Sequence, residues 1–472
     1  MPTDLWRLSA IDLATKIRSK DVSARAVIDA HLDRIDAVNG ALNAVTVVLA
    51  DEAREAADTA DAALAAGDEV GPLHGVPMTI KENVDLAGSP TTNGIAAFAD
   101  AVPFKDAPSI AHLKNAGAIP IGRTNLPDFG MRWHTDNDLR GPTLNPWDST
   151  RTPGGSSGGG AAALAAGMTP LGNGNDLGGS LRWPSRCCGT TAIRPTQGRV
   201  PSASDLAPTA APQAVQLMAV QGPMARTVAD LRLALSIMSQ PDPRDPGWIP
   251  APLQGRSNGP IRVAVTKTAG GDNVDDATAE SVRSAAAALS DVGYVVEAAE
   301  PPEMADLVEN WTDLVWHETK RVFLSLMEGV ASQDAMHFLH LAIGDVNALD
   351  ELSYMRALSR RTELAKAWSL FQAQQPLILG PVYQTQPFKV GVDVAGSDEA
   401  AKHVNDIRLT LAANVLGLPS VALPTGTAAI DGREFPQGVQ SIGPRYREDL
   451  CLDAAEAVEQ RLGTLAPIDP RP

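Results

Sequence analysis

Residues 151–200 read RTPGGSSGGGAAALAAGMTPLGNGNDLGGSLRWPSRCCGTTAIRPTQGRV and contain two serine clusters surrounded by glycine. The first cluster is GGSSGGG at 154–160, and the second is DLGGS at 176–180. Glycine at this density beside serine lets the backbone approach a reacting group closely. The stretch therefore predicts two tight turns that present hydroxyl groups.

The first cluster, around Ser156 and Ser157, has three interpretations. A flexible linker is disfavoured because the alanine-rich run at 161–166 follows at once and favours a helix. A phosphate-binding loop requires a Gly-Lys-Ser/Thr ending, which is absent. The third interpretation fits best, namely a turn that presents hydroxyls at a helix N-terminus, where backbone N–H groups favour negative charge.

The second cluster places Ser180 directly after Gly178 and Gly179. Glycines before a serine let successive backbone N–H groups converge on one point, which is how an oxyanion hole is built. The plainer alternative is a tight turn with an exposed serine. A Gly-x-Ser-x-Gly motif is absent, which argues against an α/β-hydrolase site.

Lys81 follows the apolar run VPMTI at 76–80, which predicts a short buried strand. Taken alone, these residues favour a lysine in solvent at the end of that strand. The alternative is a partly buried amine that acts as a base. That role requires the pKa to fall by ~3 units from about 10.4, or roughly 4–5 kcal/mol, which burial can supply.

Helix and strand patterns alternate along the chain, which predicts an α/β fold around a largely buried sheet. Ser9 and either Asp21 or Ser23 are expected to begin the first two helices, the second of which stops at Asn39-Gly40. Further helices are predicted at 51–66, 109–116, 161–166 and 276–292, over most of 301–373, and at 449–462. Strands are predicted at 76–80, 118–122, 261–265, 294–296, 377–379 and 420–423, with a long exposed loop at 241–258.

The composition excludes several classes of protein. The chain has 472 residues, 44% of them hydrophobic, and a formal net charge of −17, which disfavours nucleic acid as a partner. Three cysteines without a CxxC pair predict neither a disulfide framework nor a zinc site. The chain shows no signal peptide and no apolar run of the ~20 residues that a membrane span needs, so we expect a cytoplasmic protein without a membrane anchor.

Several motifs together resemble the amidase signature family. HGVPMTIKENVD, PGGSSGGGAAALAAG and NDLGGSLRWPS occur in the order typical of that family, and GRTNLPDFG and IRPTQGRVP are similar to it as well. The resemblance is dense from about 71 to 201 and weaker further on. It implies a single domain over 1–470 with a central mixed sheet covered by helices on both faces. Its parts would be N-terminal helices at 1–66, the motif-rich core at 71–235, a divergent substrate-shaping region at 241–410 and a return to the core at 411–465.

The resemblance also implies a cofactor-free Ser–cis-Ser–Lys triad. Ser180 would be the nucleophile, Ser156 would relay its proton through a cis peptide, and Lys81 would be the general base. A serine hydroxyl attacks well only when a positioned base removes its proton, and Ser–Lys pairs are one known arrangement. The backbone N–H groups of Leu177, Gly178, Gly179 and Ser180 would form the oxyanion hole, while Gly130 and Met131 would line the acyl pocket. Trp133 is a further candidate for substrate contact, on its residue type alone.

The sequence departs from the family pattern at four positions. Asn175 stands where serine or threonine is common, Leu177 replaces threonine or isoleucine, and Gly160 replaces serine. Trp183 is large for its position. None of these changes removes a catalytic group, but they make the transfer of a particular substrate unsafe. Specificity is expected from the 130–144 loop and from 241–391.

Other candidate residues have plainer interpretations. His337 and His340 are one helical turn apart, but no third metal ligand is evident. Cys187 and Cys188 are expected to be buried packing residues. His74, His112 and His134 are candidates for the histidine of a Ser-His-Asp triad, which the resemblance does not need. The tryptophans either line a substrate pocket for an aryl group or pack in the core; they are Trp133, Trp311 and Trp316.

We therefore predict an amidase that cleaves a C–N amide bond of a small or aryl substrate, with carbamates and esters as related substrates. It is expected to act as a monomer or homodimer without nucleic acid or membrane. The alternative is the glutaminase subunit of a tRNA-dependent amidotransferase, against which the acidic charge counts. A catalytically inactive binding protein is disfavoured because Lys81, Ser156 and Ser180 are all present.

Overall fold

The computed structural model describes residues 4–206, 211–255, 259–271, 273–344 and 349–471. Within these ranges eleven strands form one sheet, in the order β1-β3-β2-β4-β6-β5-β10-β11-β9-β7-β8. The strands are β1 (Val45–Val48), β2 (Pro77–Lys81), β3 (Ile119–Thr124), β4 (Leu171–Asp176), β5 (Thr191–Arg194), β6 (Val220–Ala225), β7 (Arg262–Val265), β8 (Val295–Ala298), β9 (Leu377–Pro381), β10 (Ser420–Ile430) and β11 (Arg433–Ile442).

The sheet is mixed. Strand β2 runs parallel to β3 and β4, and β7 runs parallel to β8 and β9. The remaining neighbours pair antiparallel, including β4 with β6 and β10 with β11. A central mixed sheet flanked by helices confirms the predicted α/β fold.

Sixteen α-helices lie in the described ranges. They are α1 (Ala10–Arg18), α2 (Ala24–Val38), α3 (Ala50–Ala66), α4 (Pro108–Asn115), α5 (Gly158–Ala165), α6 (Arg182–Cys188), α7 (Gln213–Met218), α8 (Val228–Met238), α9 (Asp276–Asp291), α10 (Met304–Glu318), α11 (Leu324–Met327), α12 (Gln333–Ile343), α13 (Glu351–Gln372), α14 (Ser397–Asp406), α15 (Arg408–Leu416) and α16 (Glu448–Leu462). None of the helices that the structure describes is long and apolar enough to cross a membrane.

Local signals position the first helices as predicted. The Ser9 side chain accepts a hydrogen bond from the Asp12 backbone N–H at 3.0 Å, and Ser23 caps α2 through Ala26 in the same way. Such caps satisfy N–H groups that the helix itself leaves unpaired. The predicted stop after α2 is also correct, since Asn39 is its C-cap residue.

Helix α5 begins three residues before the predicted helix, because Gly158–Gly160 are helical and buried. The glycines are required by close packing. A Cβ atom at Gly159 would lie 2.4 Å from the Asn125 backbone nitrogen, which is nearer than side-chain carbons approach. The first serine cluster is therefore drawn into the core at the start of a buried helix.

Several strands were not predicted, and β4 is the most important of them. Its sequence LGNGND is rich in glycine and asparagine, which are poor strand formers. It is a strand because β2 and β6 pair with it on its two sides. In the predicted loop 241–258, the described part, 241–255, contains no helix or strand, and 256–258 lie outside the described residues. The division of the chain into four parts stays a prediction.

Candidate active site

Three segments bring the predicted catalytic residues to one edge of the sheet. Lys81 is the last residue of β2, Ser156 lies in the turn before α5, and Ser180 lies in the turn between β4 and α6. Because β2 and β4 are parallel neighbours, their carboxyl ends lie at the same edge. Ligand sites commonly form at the carboxyl ends of such strands.

Lys81 is fully buried, so the solvent-exposed position that its neighbours alone favour is wrong. Its Nζ donates hydrogen bonds to Ser156 Oγ at 2.7 Å and to Asn175 Oδ1 at 2.8 Å. Burial lowers the pKa of Lys81 from its ordinary 10.5 to about 7, while the nearby Asp176 charge raises it in part. A large share of the amine is therefore neutral near pH 7, as a general base must be.

Asn175 is the departure from the family pattern that touches Lys81 directly. Its Nδ2 donates to Asn83 Oδ1 at 2.9 Å, so its carbonyl oxygen faces the lysine. An amide oxygen accepts from the amine without adding a charge that would hold the proton on it. The substitution is therefore compatible with a neutral Lys81.

The turn around Ser156 is built for close packing. The Gly155–Ser156 peptide bond is cis, as the resemblance implies. A Cβ atom at Gly155 would lie 2.5 Å from the Arg132 carbonyl oxygen, and Gly154 has a φ of +83°, where side chains are strained. Ser156 itself is buried, and its hydroxyl lies between Lys81, which donates to it, and Gly130, where an added Cβ would lie 3.2 Å from the Ser156 Oγ.

Ser180 is the most exposed of the three residues, although its relative exposure is only 8%. Its backbone carbonyl accepts a hydrogen bond from the Ser157 N–H at 3.2 Å, which ties the two serine turns together. Among the described residues, the Ser180 hydroxyl has no hydrogen-bond partner. The structure thus contains the Lys81–Ser156 hydrogen bond, and the proton relay from Ser180 through Ser156 to Lys81 stays a prediction.

Asp176 organises the turn that carries Ser180, and sequence reasoning did not assign it this role. Its carboxylate accepts from the backbone N–H groups of Gly179 at 2.9 Å and Leu181 at 3.2 Å. It also accepts from Arg182 Nε at 3.0 Å and Asn414 Nδ2 at 2.8 Å. Burial raises the pKa of this carboxyl, but the Arg182 charge and these bonds outweigh it and hold the pKa below its usual range. The signal available in the sequence was Asp176 shortly before the glycine pair 178–179, with Arg182 just after the same turn.

The predicted oxyanion donors are arranged in two groups. The N–H groups of Leu177, Gly178 and Ser180 find no acceptor in the part of the chain that the structure describes. The N–H of Gly179 instead donates to Asp176 Oδ1. These three open donors, one of which is the N–H of Ser180 itself, can stabilise the negative oxygen of a tetrahedral intermediate.

A narrow cavity with an aromatic wall lies against Ser180. Its lining includes Gly130, Met131, Arg132, Trp133, Leu177, Gly178, Ser180, Trp311, Val315, Trp316 and Phe338. The ring centroid of Trp133 lies 6.0 Å from that of Trp311, 6.4 Å from that of Trp316 and 5.9 Å from that of Phe338. These distances are typical of packed aromatic pairs. The structure thus brings together Gly130, Met131, Trp133 and Ser180, whereas Phe338, which no motif indicated, was missed.

The remaining candidates have structural partners of their own. His74, His112 and His134 contact the Ala60 carbonyl, the Met238 carbonyl and the Thr152 hydroxyl respectively, and none is bonded to Ser180. Among the described residues no group of His, Cys, Asp and Glu is arranged to hold a metal, and this includes His337 and His340 on α12. Cys187 and Cys188 are buried, and burial raises the pKa of both thiols, as expected for packing residues.

Comparison with known proteins identifies the family of this chain. The family model described as Amidase matches residues 26–452. An indoleacetamide hydrolase of Bradyrhizobium diazoefficiens is 47% identical over 98% of this chain and 88% of its own length. The A-type subunit of a glutamyl-tRNA(Gln) amidotransferase, from Deinococcus radiodurans, is 31% identical over 96% of both chains. The crystal structure of a bacterial aryl acylamidase superimposes with a TM-score of 0.82 at 27% identity, covering 96% of both chains.

The chain therefore belongs to the amidase signature family. With relatives of this closeness named as amide hydrolases, it is an amidase, a hydrolase that acts on carbon–nitrogen bonds other than peptide bonds. The amidotransferase alternative has less support, because the indoleacetamide hydrolase is 47% identical to this chain and the amidotransferase relative is 31% identical.

Proposed function

We propose that this amidase hydrolyses the amide of an arylacetic acid about the size of indole-3-acetamide, through an acyl-enzyme on Ser180. The observation that carries the proposal is the aromatic cavity of Trp133, Trp311, Trp316 and Phe338 beside Ser180. A flat apolar ring packs well against an aromatic surface of this kind. The similarity to an indoleacetamide hydrolase supports the same class of substrate.

The proposed reaction begins with neutral Lys81. Its amine takes a proton from Ser156, which takes the proton of Ser180 as the Ser180 Oγ attacks the amide carbon. The carbonyl π electrons move to the oxygen, which accepts hydrogen bonds from the open N–H groups of the Leu177–Ser180 turn. When the oxygen lone pair re-forms the carbonyl, the C–N bond breaks and the nitrogen receives the proton held on Lys81, so that ammonia leaves.

The second half of the reaction reverses these roles. A water molecule loses its proton to the Ser156–Lys81 relay and attacks the ester carbon of the acyl-enzyme. The bond to Ser180 Oγ then breaks, and that oxygen recovers the proton. One amide and one water have become one carboxylic acid and one ammonia. Esters and carbamates present the same carbonyl to Ser180, and we propose them as secondary substrates.

Glutamine fits this cavity poorly, which disfavours the glutaminase alternative. Its ammonium and carboxylate groups require charged partners, whereas the cavity wall is mainly aromatic and aliphatic. The one guanidinium in the wall, that of Arg132, is already paired with Asp393, with 2.6 Å between Nε and Oδ2. Placing unpaired charge against such a surface is unfavourable.

The proposal is tested by kcat/KM for indole-3-acetamide, phenylacetamide, acetamide and glutamine, with an ester and a carbamate of indole-sized groups. We expect indole-3-acetamide to exceed acetamide by about 100-fold or more, because burying an aromatic ring stabilises by roughly 3 kcal/mol. Trp316→Ala should lower kcat/KM for indole-3-acetamide far more than for acetamide. A preference for acetamide or glutamine would contradict the proposal, and Ser180→Ala provides the inactive control.

We further propose that the enzyme works on small molecules in the cytoplasm, as a monomer or homodimer in which 1–470 form a single domain. The net charge of −17 supports the exclusion of nucleic acid. Sedimentation of the purified protein tests the oligomeric state, and co-purification with stoichiometric RNA would contradict the exclusion.

A further inference from the structure

Two tryptophans of the cavity wall donate hydrogen bonds to backbone carbonyl groups of the Leu177–Ser180 turn. The Trp133 indole Nε1 donates to the Gly178 carbonyl oxygen at 2.9 Å. The Trp311 indole Nε1 donates to the neighbouring Leu177 carbonyl oxygen at 3.4 Å. Two side chains that face the substrate cavity therefore also hold two successive peptide groups beside Ser180.

A trans peptide group is planar, and its C=O and N–H point in opposite directions. A bond to the Leu177 carbonyl therefore sets the direction of the Gly178 N–H, which is one of the open donors. A bond to the Gly178 carbonyl likewise sets the peptide that ends in the Gly179 N–H. That N–H donates to Asp176 Oδ1 at 2.9 Å, so the second peptide is held at both ends.

Glycine makes such external bonds necessary. Gly178 and Gly179 have no side chains to restrict their backbone, and Gly179 has a φ of +95°. Glycine at 178 also leaves room for Trp311, since a Cβ there would lie 3.0 Å from its Cζ2. Because glycine allows a wide range of φ and ψ, hydrogen bonds from other groups are needed to fix the orientation of these peptides.

We propose that Trp311 is a positioning residue whose indole N–H orients the peptide that carries the open Gly178 N–H, and that Trp133 supports the same turn by holding the next peptide together with Asp176. This inference rests on the proposed role of Ser180 as the nucleophile.

Two inhibitors separate positioning from simple packing. Indole-3-acetaldehyde fills the cavity and also forms a hemiacetal: Ser180 Oγ bonds to the carbonyl carbon, the π electrons move to oxygen, and the serine proton passes to Ser156 and Lys81. Indole-3-ethanol (tryptophol) fills the cavity without a carbonyl and makes no oxyanion. The ratio of their inhibition constants therefore reports on the donors.

Trp311→Phe keeps an aromatic ring and removes the N–H. We expect it to weaken aldehyde inhibition about tenfold more than alcohol inhibition, a fraction of the roughly 100-fold or larger effect of removing an oxyanion donor outright. Trp133→Phe should act in the same direction with a smaller ratio, because the peptide that it contacts is also held by Asp176 and ends in the Gly179 N–H, which is not an open donor. The control is Trp316→Phe, since Trp316 lines the same cavity while its indole N–H bonds to no described residue. It should weaken both inhibitors by the same factor.

Incorporation of 3-benzothienylalanine at Trp311, which replaces the N–H by sulfur and keeps the shape, provides a second variant if phenylalanine impairs folding. An aldehyde-to-alcohol ratio that stays at the wild-type value in folded Trp133 and Trp311 variants would overturn the inference. Failure of the wild-type enzyme to bind the aldehyde covalently at Ser180 would instead overturn the proposed function. The two failures are thus distinguished by the wild-type measurement.

Discussion

Replacing Lys81 by methionine should abolish activity and change how the stability of the protein depends on pH. Methionine fills a similar volume without an ionisable group. Lys81 is fully buried, and burial lowers the pKa of its amine from 10.5 to about 7. In the unfolded chain the amine has its ordinary pKa, so the unfolded wild type binds a proton more readily than the folded wild type does. Lowering the pH therefore favours unfolding of the wild type, whereas methionine at position 81 binds no proton in either state.

The magnitude follows from these two pKa values. Above pH 10.5 the amine is neutral in both states, and it contributes no proton-linked penalty. Between pH 10.5 and 7 only the unfolded chain binds the proton, so the wild type loses stability as the pH falls. Below pH 7 the penalty is complete at about 5 kcal/mol, because each pKa unit corresponds to about 1.36 kcal/mol. The same relation gives about 4 kcal/mol at pH 7 and about 2 kcal/mol at pH 9.

Urea denaturation of the wild type and Lys81→Met at several pH values measures this effect. The variant also loses the hydrogen bonds to Ser156 and Asn175, which the amine can donate in either protonation state, at pH 7 and at pH 9 alike. The difference between the two pH values is therefore the informative quantity. From pH 7 to pH 9, the free energy of unfolding of the wild type should rise by about 2 kcal/mol relative to that of the variant. A difference that does not change with pH would refute the lowered pKa of Lys81 and the role of this residue as a base.

Three further predictions concern the same network. The kcat/KM of the wild type should rise with pH through a midpoint of about 7, because only neutral Lys81 accepts a proton, and a flat profile from about pH 5.5 to 9 would contradict this. Asn175→Asp places a carboxylate beside Lys81, which stabilises the protonated amine, so the midpoint of the kcat/KM profile should move up by about one pH unit or more. In the neutral Asn175→Ser control the midpoint should stay near its wild-type value. Asp176→Asn breaks the buried ion pair with Arg182, so it should lower the free energy of unfolding by roughly 3 kcal/mol and kcat by about 100-fold. A loss below about 1 kcal/mol in urea denaturation would show that the turn does not depend on this charge.

The fold was predictable where local patterns agree with the final structure. Ser9 and Ser23 carry capping signals that depend on a few neighbouring residues, and both helices begin where expected. Strand β4 has no such local signal, because LGNGND becomes a strand only through its pairing with β2 and β6. Pairing between distant segments is not visible in a window of a few residues.

The same distinction applies to the site. The order of several motifs pointed to Lys81, Ser156 and Ser180, although the neighbours of Lys81 gave no sign that it is buried. Its burial is created by β3 and β4 on either side of β2, together with the serine turn that covers its amine. Phe338 lies far along the chain in α12 and reaches the cavity only through the packing of that helix. Cavity walls built from separate helices carry no motif, so this part of the site required the structure.

The central claim is that Ser180 attacks the substrate carbonyl, and the acyl-enzyme itself tests this most directly. The 4-nitrophenyl ester of indole-3-acetic acid should acylate the enzyme rapidly, and acid quenching should preserve the adduct. Trypsin then releases residues 152–182, which contain Ser156, Ser157 and Ser180 in one peptide. Fragmentation of that peptide should place the indole-3-acetyl group on Ser180, with no adduct in Ser180→Ala. An acyl group on Ser156 or Ser157, or an unchanged adduct in the Ser180→Ala enzyme, would contradict the mechanism.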